Sequence, residues 1–162
     1  MDLNFTEEQL MLQDAARRIA QDVIAPSAEH FDRSGEFPLD NIRLLGESGL
    51  MGIEVPAEYG GAGMDPVAYV LAVVEIAAGD AAHSTIMSVN NSLFCAGILK
   101  HGSEAQKQLY VRAVAEGRQI GAFDGPAIGI VGIAYNQEPL TDDEIAQVLS
   151  ALIAGRAFAP VR

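Results

Sequence analysis

A chain of 162 residues with 49% hydrophobic content is long enough for one domain, or one domain with a small appendage, and apolar enough to bury a core. Ten Lys+Arg against 22 Asp+Glu give a formal charge of -12, which repels phosphate backbones and anionic lipid and argues against nucleic-acid and membrane-surface roles. The lone cysteine, Cys95, excludes an internal disulfide. No apolar run approaches the ~20 residues of a membrane span, and acidic residues stand where a secretory signal carries positive charge, so a cytoplasmic protein is expected.

Thr6 with Gln9 three residues on forms a capping box and opens a long helix. Leu12, Ile19, Val23 and Ile24 recur near helical spacing, with Arg17, Arg18 and Gln21 between them, so one face is apolar and the other wet. Pro26 is expected to kink or end this helix. After residues 34–38, the positions Leu39, Ile42, Leu45 and Leu50 mark a second, shorter helix that gives way between Gly46 and Gly52. Beyond a glycine-dense turn at residues 60–63, Asp65 and Pro66 make an N-cap with proline at the first helical position, and a third helix runs to about Ala78. Val67, Val70, Leu71, Val74 and Ile76 make it apolar on much of its circumference, as expected of a helix packed on several sides.

Asp80 caps a fourth helix carrying Ile86, Val89, Leu93 and Ile98. Ser103 with Gln106 forms another capping box for a fifth, which Gly117 closes. Five helical segments joined by short loops predict an all-α, antiparallel helical bundle over residues 1–123. Residues 124–162 differ. Residues 127–135 are rich in β-branched residues and glycine and read as an extended segment, and Thr141 with Glu144 opens a helix at about 142–154, ending at Gly155. The tail is therefore a divergent unit of one extended segment and one helix.

Three stretches carry a family resemblance: residues 3–9 at the start, the loop Gly49-Leu50-Met51-Gly52-Ile53-Glu54-Val55-Pro56-Ala57-Glu58-Tyr59-Gly60-Gly61-Ala62-Gly63, and Ser88-Val89-Asn90-Asn91-Ser92-Leu93 followed by Gly102-Ser103-Glu104-Ala105-Gln106-Lys107-Gln108. Together they resemble the acyl-CoA dehydrogenases over about residues 1–123, most closely the short-chain, butyryl-CoA-like members. The resemblance implies an N-terminal helical domain and FAD-dependent desaturation of acyl-CoA thioesters. It also implies a homo-oligomer and an electron-transfer flavoprotein as electron acceptor. The family's catalytic carboxylate and most of its flavin site lie further along a longer chain, so no glutamate here inherits the catalytic role, and Glu54, Glu58 and Glu75 read as surface or loop charges.

Thr85, Val89 and Leu93 stand at i, i+4 and i+8 and share one helix face. The resemblance implies that this face closes the distal end of the acyl-chain cavity, where a branched residue such as Val89 would limit acyl length by exclusion. An ordinary core stripe is the other reading of the same spacing. Asn90 and Asn91 suit a helix interior only if their amides have partners, and inter-helix or loop hydrogen bonds are expected of them. Phe123 stands where the family chain begins to contact the isoalloxazine ring; a packed aromatic at a domain edge is the alternative. The family pattern then requires a hydroxyl residue followed by Glu-Pro and a Gly-Ser-Asp turn, whereas this chain reads Asp124-Gly125-Pro126-Ala127.

His30, His83 and His101 lack metal-ligand spacing with carboxylates or Cys95, and no zinc site is expected. Neither a nucleophile elbow, a phosphate loop nor a dinucleotide fingerprint is present, although a triad assembled in space is not excluded by spacing. Two functions follow: the helical part of an acyl-CoA dehydrogenase, inactive alone, or a non-enzymatic helical module that associates through apolar surface.

Overall fold

The computed structural model describes residues 4–124 and 129–133. The Thr6 capping box forms as its residues dictate: the hydroxyl accepts from the Gln9 amide at 3.2 Å and the Gln9 side chain accepts from the Thr6 amide at 2.9 Å. Helix α1 (Glu7–Ile19) follows. The α-helical pattern is interrupted locally and then resumes around Pro26. A π-helical turn, Ala20–Ile24, precedes it, and α2 (Ala25–Ser34) begins with the proline in its first turn, where its missing N–H is harmless. Gly35, at φ 72°, closes α2.

Helix α3 (Leu39–Glu47) gives way to a tight turn at Leu50–Gly52 and a second at Ala57–Tyr59. The loop between them and α4 closes on itself: the amides of Ala62, Gly63 and Met64 donate to the carbonyls of Gly52, Val55 and Ile53. A Cβ on Gly61 would lie 2.1 Å from the Val55 carbonyl, so this position admits only glycine. Helix α4 (Pro66–Gly79) is capped by Asp65, whose carboxylate accepts from the Ala68 amide at 2.9 Å.

A single residue, Asp80, turns the chain into α5 (Ala81–Ser88), which continues through a π-helical stretch, Val89–Cys95, into α6 (Ala96–His101). The Ser103 capping box opens α7 (Glu104–Gln106), continued by a π turn, Lys107–Val111, and by α8 (Arg112–Ala115). Strand β1 (Ile120–Asp124) then pairs antiparallel with β2 (Gly129–Ile133), Ile120 opposite Ile133 and Asp124 opposite Gly129. Of the extended segment expected at 127–135, residues 129–133 form a strand and the rest lie outside the described residues, as does the helix expected at 142–154.

The helical bundle has the class read from the sequence. Helices α4 and α5 fold back antiparallel, tied by Tyr69 and Ser88 at 2.8 Å. Helices α1 and α4, remote in sequence, run side by side in the same sense: Gln9 reaches Asp65 at one end, and Gly79 lies against Ala20 at the other. Glu75 is not the surface charge expected. Its carboxylate accepts from Arg17 at 2.7 and 3.0 Å and from Gln13 at 2.8 Å, locking α4 to α1. The Arg17 bond and charge hold its carboxyl below the usual range, overcoming the opposing effect of burial. Ile24, Ile42, Leu45, Leu50, Met51, Ile53, Ile76 and Met87 form one buried cluster, and Val55, Phe94, Cys95, Ile98, Val111 and Val114 a second.

The outer face of α4 departs from expectation. Val67, Val70 and Val74 are 45%, 55% and 58% exposed, so this helix packs on its inner sides and leaves an apolar face uncovered among the described residues. At Asn91 the opposite holds: the side chain is buried, its amide donates to the Leu50 and Met87 carbonyls at 2.9 Å each, and its carbonyl accepts from the Ile53 amide at 2.8 Å. Asn91→Ala orphans an amide and a carbonyl of the buried turn and is expected to cost about 3 kcal/mol. A urea melt at neutral pH measures it, and a loss below about 1 kcal/mol would show that the turn finds other partners.

Candidate functional site

Residues 81–101 form one uninterrupted helical rod whose two sides differ sharply. On the inner side, Asn90, Asn91, Phe94 and Cys95 are buried. The Asn90 amide donates to the Met51 carbonyl at 2.7 Å and its carbonyl accepts from the Gly121 amide at 2.8 Å, joining the rod to the turn after α3 and to β1. Gly121 lies so close to Phe94 that a Cβ there would sit 2.3 Å from the ring. Burial raises the Cys95 thiol to about 12, which makes it an inert core group rather than a nucleophile.

Thr85, Val89 and Leu93 occupy the outer side. Thr85 is exposed and its hydroxyl donates to the Ala81 carbonyl at 2.9 Å, Val89 is half-buried, and Leu93 is 47% exposed. The three share a face because the inner residues are pinned. The wider π turn over Val89–Cys95 takes slightly more than four residues per turn, so Leu93 falls almost directly above Val89. The core-stripe reading of this spacing therefore fails: the core stripe of the rod is Met87, Asn91, Phe94 and Ile98. An outward apolar strip with one hydroxyl could line an acyl chain but has no group able to remove a proton.

Phe123 lies in β1, its backbone opposite Ile130. A flavin at this strand requires hydroxyl and amide donors. Here the Gly121 amide is committed to Asn90 and β1 is paired along its length to β2. No Ser or Thr occurs between Gly121 and Leu140, and β1 ends on the carboxylate Asp124. Among the described residues β1 and β2 carry no hydroxyl donor for a flavin.

The sequence reading missed one polar cluster. His83 is 0% exposed; its Nδ1 lies 2.6 Å from Asp80 Oδ2 and its Nε2 3.1 Å from Asn41 Nδ2, which in turn lies 2.9 Å from Ser27 Oγ. The Ser27 proton goes to the Val23 or Ile24 carbonyl, so its oxygen accepts from Asn41. The second amide proton of Asn41 then points at His83 Nε2, which accepts, leaving Nδ1–H to donate to Asp80. The serine is two bonds away from the histidine and its proton faces backbone, so this is a strut joining α2, α3 and α5 and not a hydrolytic triad. The Asp80 to His83 spacing of i, i+3 at a helix start was the available signal. Among the described residues no three His, Cys, Asp or Glu side chains converge to hold a metal ion, and no helix is long and apolar enough to cross a membrane.

Residues 6–118 match the model of the acyl-CoA dehydrogenase N-terminal domain. An acyl-CoA dehydrogenase of Bacillus subtilis is 44% identical over 121 residues, 75% of this chain and 32% of that protein. Butyryl-CoA dehydrogenase from Megasphaera elsdenii superposes with a TM-score of 0.71 at 32% identity, over 76% of this chain and 33% of that one. A glutaryl-CoA dehydrogenase from Mycobacterium smegmatis in complex with FADH2 superposes at 0.68 and 28% identity, over 72% and 30%. The chain belongs to the acyl-CoA dehydrogenase family and spans about a third of the length of these relatives.

Burial pushes the Asp80 carboxyl up, but bonds from the His83 side chain and from the His83 and Ala82 amides prevail, and it lies below the ordinary value of 3.8. A depressed carboxyl stabilises the fold above the unfolded-state value, and that stability is lost as pH falls through the folded one. Urea midpoints taken from pH of about 7 down to about 3 should therefore fall for the natural chain. In Asp80→Asn, which still caps the helix, this part of the acid dependence should vanish. An unchanged slope in the variant would exclude Asp80 as its source.

Proposed function

We propose that this chain supplies the acyl-chain wall of a short-chain acyl-CoA dehydrogenase, with Thr85, Val89 and Leu93 as the lining and the cytoplasm as its compartment. The observation that carries the reading is the two-sided rod: a pinned inner face holds an outer apolar strip open to a ligand, where the half-buried, branched Val89 limits acyl length. Family membership supports a CH–CH oxidoreductase with FAD and an electron-transfer flavoprotein acceptor for a complete enzyme. The outer strip binds and orients; it holds no base. The 162 residues alone, which read Asp124-Gly125-Pro126-Ala127 where the family places its flavin-binding hydroxyl and Glu-Pro, do not complete the reaction.

Titrating the chain with butyryl-CoA by calorimetry, with free coenzyme A as control, tests this. Heat is expected with the thioester in excess of the control, lost in Val89→Phe, while added FAD leaves the protein colourless. Equal heats from thioester and coenzyme A would remove the acyl-wall role.

The exposed valines of α4 favour a second reading, in which the chain acts as a helical module that associates through apolar surface as a homo-oligomer.

A further inference from the structure

We infer that His83 and Asn41 form a proton-operated switch at the joint between α1 and α2: a proton taken up by His83 turns the Asn41 amide over and releases the Ser27 hydroxyl from the π turn before Pro26. The observation behind it is a chain of polar groups with two complete proton arrangements on one set of heavy-atom positions. In the neutral arrangement the two amide protons of Asn41 go to Ser27 Oγ and His83 Nε2, and the Ser27 proton goes to the Val23 or Ile24 carbonyl. A proton on Nε2 would point at the Asn41 NH2 group, donor against donor. The ring has no room to avoid it, since it is wholly buried, held by Asp80 through Nδ1 at 2.6 Å and met edge-on by Phe31 with ring centroids 6.1 Å apart. The amide is therefore the part that moves.

Turned over, Asn41 sets its oxygen at the place of its nitrogen, and the two lone pairs accept from His83 Nε2 and from Ser27 Oγ, whose proton leaves the backbone carbonyls. Among the described residues no hydrogen bond goes to the Asn41 oxygen, so the exchange breaks none at that end. The new charge also has its partner in place, the Asp80 carboxylate that already accepts from Nδ1. Among the described residues no other ionised group faces the ring. Helix α2 presents Ser27 and Phe31, with His30 beyond Phe31 in solvent beside Glu36, and with Glu29, Asp32 and Arg33 exposed. Helix α3 presents Asn41, while Asp40 and Arg43 pair with each other at the surface; Glu75 of α4 is committed to Arg17, and Asp22 of the π turn is exposed. Pro26 has no N–H, and the Ser27 hydroxyl supplies a donor to the carbonyls of the turn before it. Withdrawing that donor loosens the passage from α1 into α2, so the proton state of one buried ring sets how firmly the two helices are joined.

The test is nuclear magnetic resonance of the full natural chain, labelled with heavy nitrogen and carbon, from pH of about 8 to about 5, the range in which histidine changes charge, with circular dichroism to confirm folding at each step. His83→Gln identifies the His83 ring signals among those of His30 and His101. Nε2 of His83 is expected to pass from the unprotonated to the protonated signal, and the carbonyl carbons of Val23 and Ile24 to shift with the same midpoint. In Ser27→Ala the ring still takes up its proton and the carbonyl shift is lost. In Asn41→Asp, whose carboxylate only accepts, the ring stays charged across the range. A ring that remains neutral for as long as the chain is folded overturns the switch. So does a protonated ring with the Val23 and Ile24 signals unmoved, or a carbonyl shift that survives Ser27→Ala, since the amide has then not turned. The first two of these outcomes are read on the natural chain, whatever the variants do, and none involves a thioester, so they stand apart from the fate of the acyl wall.

Discussion

Two adjacent asparagines hold this domain together. The turn after α3 carries its backbone through the interior, and buried amides and carbonyls without partners are costly. Asn91 supplies two of the missing bonds, to Leu50 and Ile53, and a third to Met87 of its own rod, while Asn90 supplies one to Met51 and one to the Gly121 amide of β1. Neighbouring residues of an α-helix diverge by 100°, too far for both amides to turn inward comfortably. The π-helical stretch Val89–Cys95 narrows that angle, and both side chains reach the turn. No buried side-chain polar atom among the described residues lacks a partner, as a fully connected polar network requires.

Other features follow from fixing that turn. With Leu50 and Met51 held against the rod, the end of α3 meets the end of α8 backbone to backbone. A Cβ on Gly46 would lie 2.4 Å from Gly117 Cα, and one on Gly52 would lie 2.6 Å from Ala115 Cβ. Glycine at these places serves close approach; Gly117, at φ 71°, also closes its helix as the sequence suggested. The chain leaves this junction straight into β1, which lies on Phe94 and is bonded to Asn90. One pair of side chains thus sets the turn, the rod and the strand that follows.

Much of this was legible because it is local. Both capping boxes, the Asp65 and Asp80 caps and the Gly117 stop depend on residues within three or four positions of one another, and each forms as its spacing requires. The asparagines declared themselves as misfits in a helix interior, and the family motif around them pointed to the right domain. What escaped depends on partners distant in sequence. The π stretch Val89–Cys95 lies where side chains meet a turn about 40 residues away, Glu75 finds Arg17 only once α1 and α4 lie together, and His83 finds Asn41 only across the core. At Pro26 the local rule held in its milder form: the α-helical pattern is interrupted by a π turn and restarts with the proline in the first turn of α2. Thr85, Val89 and Leu93 share a face as their spacing indicated, but periodicity does not say which face is inward; the asparagines decide that.

The charge of the chain bears on which surface can meet a partner. At -12, two copies repel at most orientations, and acidic surface pressed against acidic surface is penalised wherever it becomes desolvated. Helix α4 is exempt, since its one carboxylate is neutralised by Arg17 on the inner side and its outer face presents only valine and alanine. Charge repulsion between two acidic surfaces would be weakest on this face. The outer strip of the rod differs: it carries the Thr85 hydroxyl beside half-buried Val89 and exposed Leu93. The same two antiparallel helices, tied at Tyr69 and Ser88, thereby present two outward apolar surfaces of different character.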